Sequence, residues 1–245
     1  MICELCSQDK QLSNSHIIPE FIYEHSELYD GKHRYHVLST KPDTKNEFEQ
    51  KGIREKLLCP SCENKFSAFE TYTKNVLFDA AEIKTVDKGK GKLVFENIDY
   101  KKFKLFQLSV LWRASVSTLE MFNEIDLGLH EPYIRDMLWN ENPGKSTDYG
   151  CIYRKISSRD EDFEATQIIG KPTQMAKIDG HRTFVFLMAG LFWVYIVSSH
   201  MQDFIHKKYF IQENGTLLIN LKPVPAEKVF KGFAQTLYKQ GKLDM

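Results

Sequence analysis

Apolar and polar positions alternate with different periods in three stretches of the chain. In the first, Ile18, Phe21 and Ile22 follow each other at helical spacing, with Tyr29 further on. This predicts a short helix beginning near Ser15, with Ser15 as its cap and Pro19 in its first turn. Phe66, Phe69, Tyr72 and Val76 recur on one side of a second helix over 63–76. The polar, charged segment 31–52 reads as a loop or irregular hairpin. Segment 84–92, KTVDKGKGK, reads as a lysine-glycine linker.

In the second stretch, 103–122 carries a dense apolar face around Trp112, and 132–139 makes a shorter helix. Turn formers over 140–150 mark a boundary. Beyond it the pattern becomes strand-like at 151–156, 166–169, 183–197 and 209–221. Asn214-Gly215 is a hairpin signal. Val229, Phe230, Phe233 and Leu237 share one face of a terminal helix over 226–239. These elements predict an α+β protein in three parts: 1–83, a linker and helical region over 84–148, and a β-rich part over 149–245 ending in a helix.

Composition narrows the class. The chain has 245 residues, 42% of them hydrophobic, with 33 basic and 33 acidic residues and a formal net charge of +0. A packed core is expected, and any nucleic-acid footprint must be local. The apolar run 184–197 is shorter than the roughly 20 residues of a membrane span. Its aromatic and β-branched content predicts a buried strand, bent at Ala189-Gly190.

Five cysteines change the picture most. Four form two Cys-x-x-Cys knuckles, Cys3/Cys6 and Cys59/Cys62, and Cys151 stands alone. Two such knuckles suit one tetrahedral zinc ion with four protein ligands, which is structural because no position is open for water. The odd count and the absence of a charged-then-apolar leader predict a reducing, cytoplasmic setting. Cys151 is expected to be a small buried hydrophobe.

Between the knuckles lies Ser15-His16-Ile17-Ile18-Pro19. The order of knuckle, Ser-His-Ile-Ile-Pro and Leu-Leu-Cys-x-x-Cys resembles the zinc-containing HNH endonucleases of the ββα-metal type. The run 57–70 and the Leu111-Trp112-Arg113 segment also resemble a divergent, uncharacterised bacterial branch with an HNH-like head. The resemblance covers roughly the first third of the chain. It implies a zinc-stapled ββα-metal head, a helical middle and a β-rich C-terminal part. It implies a Mg²⁺- or Mn²⁺-dependent endonuclease acting on DNA, in a phage-defence setting.

Carried over by position, His16 is the general base and Cys3, Cys6, Cys59 and Cys62 hold the structural zinc. Glu63 stands where the family has its last ligand histidine. Arg54 stands near the position where the family has a bracing asparagine, which is missing here, and completes the catalytic candidates. Glu70 lies on the Glu63 face of the helix and is a second candidate ligand for a catalytic ion. Ser15 replaces the family's acidic ligand. Lys65, Arg34 and His33 are candidate phosphate contacts, and lysine clusters within 88–92, 101–104 and 207–231 add local charge. The alternative is a catalytically inactive zinc-binding module for nucleic acid or protein. Either reading leaves room for a homo-oligomer or a partner protein, and for 149–245 as a specificity or sensing part.

Overall fold

Short strands rather than long helices organise the start of the chain. The structure, a computed structural model, describes residues 1–79, 83–87, 89, 91–158 and 164–243, with side chains throughout except at 220–222. Its first elements are β1 (Asn14–His16), α1 (Glu20–His25), β2 (Arg34–Val37), β3 (Glu47–Gln50), β4 (Arg54–Lys56) and α2 (Pro60–Lys74). Ser15 is a strand residue, not a helix cap. Its buried hydroxyl accepts the Leu58 N–H at 3.1 Å, and α1 starts only after Pro19. The polar segment after Gly31 contains the antiparallel β2–β3 pair. Strand β1 pairs antiparallel with β4, with Ser15 opposite Glu55 and His16 opposite Arg54. Helix α2 follows β4 closely, with Pro60 in its first turn, where the missing N–H costs nothing. It runs on into one π-type turn, Asn75–Asp79.

The expected linker is instead a hairpin. Strands β5 (Lys84–Asp87) and β6 (Lys92–Glu96) pair antiparallel, while Lys88 and Lys90 lie outside the described residues. Thr85 and Val86, then Leu93, Val94 and Phe95, supply the strand-forming side chains. Helices α3 (Tyr100–Val116) and α4 (Glu131–Trp139) follow, then β7 (Gly150–Ser157), β8 (Gly170–Ile178), β9 (His181–Met188), β10 (Leu191–Val197), β11 (Leu217–Pro225) and α5 (Ala226–Lys239). The strand expected over 166–169 is a 3₁₀ turn, Ala165–Gln167, ahead of β8. The apolar run after Thr183 is not one bent strand. Ala189 and Gly190 have φ of 52° and 71°, the left-handed pair that a tight hairpin turn requires, and they fold β9 back on β10. Among the described residues no helix is long and apolar enough to cross a membrane.

The sheet has seven strands in the order β5-β6-β11-β7-β10-β9-β8, antiparallel except where β11 lies parallel to β7. Tyr209 lies in a 3₁₀ turn, so the expected two strands around Asn214-Gly215 reduce to one, β11. Gly215 turns tightly at φ 79°, and a Cβ there would sit 2.4 Å from the Ile98 carbonyl oxygen.

Helix α3 is the centre of the molecule. Every residue from Phe103 to Ala114 is buried, so it has no solvent face. On one side Phe103 meets Tyr153 and Phe106 meets Trp193 of the sheet, at ring separations of 6.3 and 5.9 Å. On the other, Trp112 meets Phe66 of α2 edge-on at 6.2 Å, and Phe106 meets Phe21 of α1. One hydrophobic cluster therefore runs from Cys3 to Ile219. Burying each such aromatic contributes about 2–3 kcal/mol. Helix α5 sits at the edge, burying Ala226 and Leu237 but leaving Phe233 exposed. The residues after it hook the loop between β2 and β3: Gln240 Nε2 donates to the Thr40 carbonyl and Lys242 Nζ to the Ser39 carbonyl, at 2.8 and 2.9 Å.

Candidate metal centre and its neighbouring histidine

The two knuckles close on each other because β1 and β4 pair between them. The Glu4 N–H donates to the Leu57 carbonyl and the Ser13 N–H to the Leu58 carbonyl, at 3.0 and 2.7 Å. These bonds bring the first knuckle onto the start of α2. Ser7, at φ 56°, turns the first knuckle and its N–H donates to the Cys3 carbonyl. Arg135 of α4 braces the same turn through the Leu5 carbonyl at 3.0 Å and the Ser7 hydroxyl.

The ligand sulfurs of Cys3, Cys6, Cys59 and Cys62 all lie within 4.8 Å of one another, and Cys3, Cys59 and Cys62 are buried. Cys6 Sγ is 3.9 Å from Cys59 Sγ. A tetrahedral ion with bonds of about 2.3 Å would separate its sulfurs by about 3.8 Å. Such a group could hold a metal ion such as zinc. Burial pushes the Cys3 and Cys62 thiols up. Burial raises Cys59 too, but the Ser61 hydroxyl and the Cys62 N–H outweigh it and bring that thiol down to about 6. The Ser61 oxygen lies 3.1 Å from the Cys59 sulfur, and the Cys59 N–H donates to Cys3 Sγ at 3.3 Å. Four crowded thiolates repel one another unless a cation sits between them.

His16 ends β1, and its ring is held from one side. Nε2 lies 2.7 Å from Glu20 Oε2 and 3.1 Å from the Lys51 carbonyl oxygen. Tyr29 donates its hydroxyl proton to both Glu20 oxygens, at 2.9 and 3.0 Å. Gly52 closes over the pair at φ 68°; a Cβ there would meet Glu20 Oε2 at 3.0 Å and His16 Cδ2 at 3.1 Å. Both neighbours of Nε2 are acceptors, so Nε2 carries the proton and Nδ1 is the basic nitrogen of the neutral ring. Among the described residues Nδ1 has no hydrogen-bond partner. Glu20, four residues after His16, was not singled out from the sequence; the intervening Pro19 hides the spacing.

The other candidates scatter. Arg54 faces His16 across the strand pair. Glu63 lies in the first turn of α2, and its Oε1 is buried with no hydrogen-bond partner among the described residues. Glu70 lies 2.8 Å from Arg113 Nη2, in an ion pair with a guanidinium that is 1% exposed. Among the described residues the four cysteines are the one group of three or more His, Cys, Asp or Glu that converges, so His16, Glu63 and Glu70 do not assemble a second cation site. A catalytic Mg²⁺ or Mn²⁺ would find an uncommitted oxygen at Glu63, Glu70 being ion-paired to Arg113, and would need water and substrate phosphate for the rest.

The candidate phosphate contacts are engaged within the protein. Lys65 Nζ donates to the Trp139 carbonyl at 2.9 Å and lies over the Trp139 ring. Arg34 pairs with Asp30 at 2.7 Å, and His33 packs edge-on against Tyr29. Lys104 is not on the surface: it is fully buried, its Nζ bound to the Asp148 and Tyr149 carbonyls at 2.6 and 2.8 Å. Cys151 is buried as expected. No protein family, no curated protein and no solved structure matches this chain.

Proposed function

We propose that the chain is a zinc-stapled endonuclease of HNH type that hydrolyses DNA phosphodiester bonds with His16 as general base. The observation that carries this reading is the state of the imidazole. Glu20 and the Lys51 carbonyl occupy Nε2 and leave Nδ1 as a free, fixed acceptor. That base stands at the end of β1, in a strand pair that leads into α2 and is stapled by the cysteines at its Asn14–Lys56 end. Nδ1 would take a proton from water as the oxygen attacks phosphorus and the bond to the leaving oxygen breaks. A divalent ion, when bound near Glu63, supplies the positive charge that the leaving oxygen needs. Zinc in the cysteine group holds the frame and takes no part in the chemistry.

The test is cleavage of supercoiled plasmid with Mn²⁺. His16→Ala should lose about a hundredfold or more in rate, with zinc content and folding retained. Wild type and His16→Ala behaving alike would sink the reading.

A second reading, an inactive zinc-binding module, is favoured by two particulars. The Ser15 hydroxyl is committed to the Leu58 N–H, and the Glu70 carboxylate to Arg113. A crystal soaked in Mn²⁺ separates the readings, since only the nuclease should collect a second ion beside His16.

A further inference from the structure

The two faces of the β1–β4 pair differ sharply. Register partners in an antiparallel pair share a face, and neighbours along a strand alternate. Ser15 and its partner Glu55 form the inner face. Ser15 is 1% exposed, and Glu55 accepts the Ser117 hydroxyl at 2.7 Å beyond the end of α3. His16 with Arg54, and Asn14 with Lys56, therefore form the outer face. Asn14 and Lys56 are exposed, and His16 and Arg54 are half-buried.

The charge on that face is uncommitted. Arg34, Arg113 and Arg182 are ion-paired, to Asp30, Glu70 and Asp126, and Arg135 is bound to the Leu5 carbonyl. Among the described residues neither Arg54 nor Lys56 has an ion pair or a side-chain hydrogen bond. Glu20, the acid beside His16, is already shared between His16 and Tyr29. In a chain of net charge +0, this is a small cationic face laid against the candidate base.

We infer that the outer face of the β1–β4 pair is where a DNA phosphate backbone docks, with Arg54 clamping a phosphate beside His16 and Lys56 and Asn14 contacting the next. The inference deepens the nuclease reading and rests on it for the choice of DNA. A planar guanidinium suits a phosphate because it offers parallel donors, and an unpaired one loses no intramolecular bond on binding. The face is small, so its grip is local. Each neutralised phosphate adds about 0.9 to the slope of log affinity against log salt, and two cations supply about two such contacts.

The experiment is fluorescence anisotropy of a labelled DNA duplex against salt, with zinc-loaded protein and no added divalent ion. Wild type should bind at about 50 mM salt. Arg54→Gln should weaken binding and lower the slope by about 1, and the double variant with Lys56→Gln by about 2. Arg54→Lys should keep the slope, and Lys177→Gln, on the distant edge strand β8, should leave binding unchanged. No binding by wild type, an unaltered slope in Arg54→Gln, or an equal loss in Lys177→Gln would overturn the inference. Because binding is read without cleavage, the two claims fail separately. An Arg54-dependent slope alongside plasmid cleavage indifferent to His16 would keep the surface and discard the nuclease. The reverse pattern would keep the nuclease and discard the surface.

Discussion

Arg113 Nη1 donates to the His16 carbonyl oxygen at 2.6 Å, although the two residues lie 97 positions apart in the chain. The same guanidinium pairs with Glu70 and donates through Nε to the Ser109 carbonyl at 3.2 Å. One arginine from the central helix thus fixes the backbone of the candidate base and the middle of α2. Arg113→Met should destabilise the fold by about 3 kcal/mol, because it leaves the Glu70 carboxylate without its ion-pair partner and the His16 carbonyl without its donor. Glu70→Gln, on a partly exposed partner, should cost less. Urea unfolding of both variants checks the order.

The cysteine group should contain one metal ion per chain, and removing it should unfold the N-terminal part. Cys59→Ser should lower folded yield, since binding of a structural ion is coupled to folding. Metal analysis of freshly purified, well-folded protein that found no zinc would end this assignment.

Cys151 should behave as a core atom. Burial pushes its thiol up, with Lys104 a smaller opposing influence, so it stays protonated and shielded. It should resist a thiol reagent at about pH 8 until the protein is unfolded. Cys151→Ala should cost about 1 kcal/mol and leave metal content unchanged.

Lys104 should give the protein a stability that depends on alkaline pH. Desolvation holds its ammonium down to about 8, from 10.5 when the chain is unfolded. Between those values the unfolded state binds more protons, so this residue's contribution rises with pH across the window and is fully present above it. The gain is about 3 kcal/mol at most. Measured in pairs at matched pH, Lys104→Met should therefore lose ground against wild type from about pH 8 to about pH 10. A difference that stays flat would mean that Lys104 keeps its ordinary acidity.

Local chemistry made some of this architecture readable and concealed the rest. The knuckles were visible because their spacing is the chemistry. Helix α4 and helix α5 were visible because each keeps one apolar stripe. The segment before Lys92 read as a linker because lysine and glycine dominate it. It is a strand because it pairs with β6, and β6 is held in the sheet by β11, more than a hundred residues later, which no local pattern reports. Ala189-Gly190 read as a bend within a strand. The clue to a turn was the glycine after a small residue, which left-handed backbone tolerates. Glu20 and Arg113 escaped notice as site residues because their meaning is tertiary. One is joined to His16 across Pro19, and the other arrives from a helix read for its apolar face around Trp112.

The strand order has a consequence for how the chain can be made. Strand β11 is the last of the seven in sequence, yet it lies third in the sheet, between β6 and β7. Until residues 217–225 leave the ribosome, the β5–β6 hairpin has nothing to join and β7 presents a bare edge. That edge is the kind of surface on which other chains add strands. A ribosome stalled before Leu217 would hold a chain with its sheet in two pieces. Completion must wait for a parallel pairing across some sixty residues of intervening chain, a slow, non-local step.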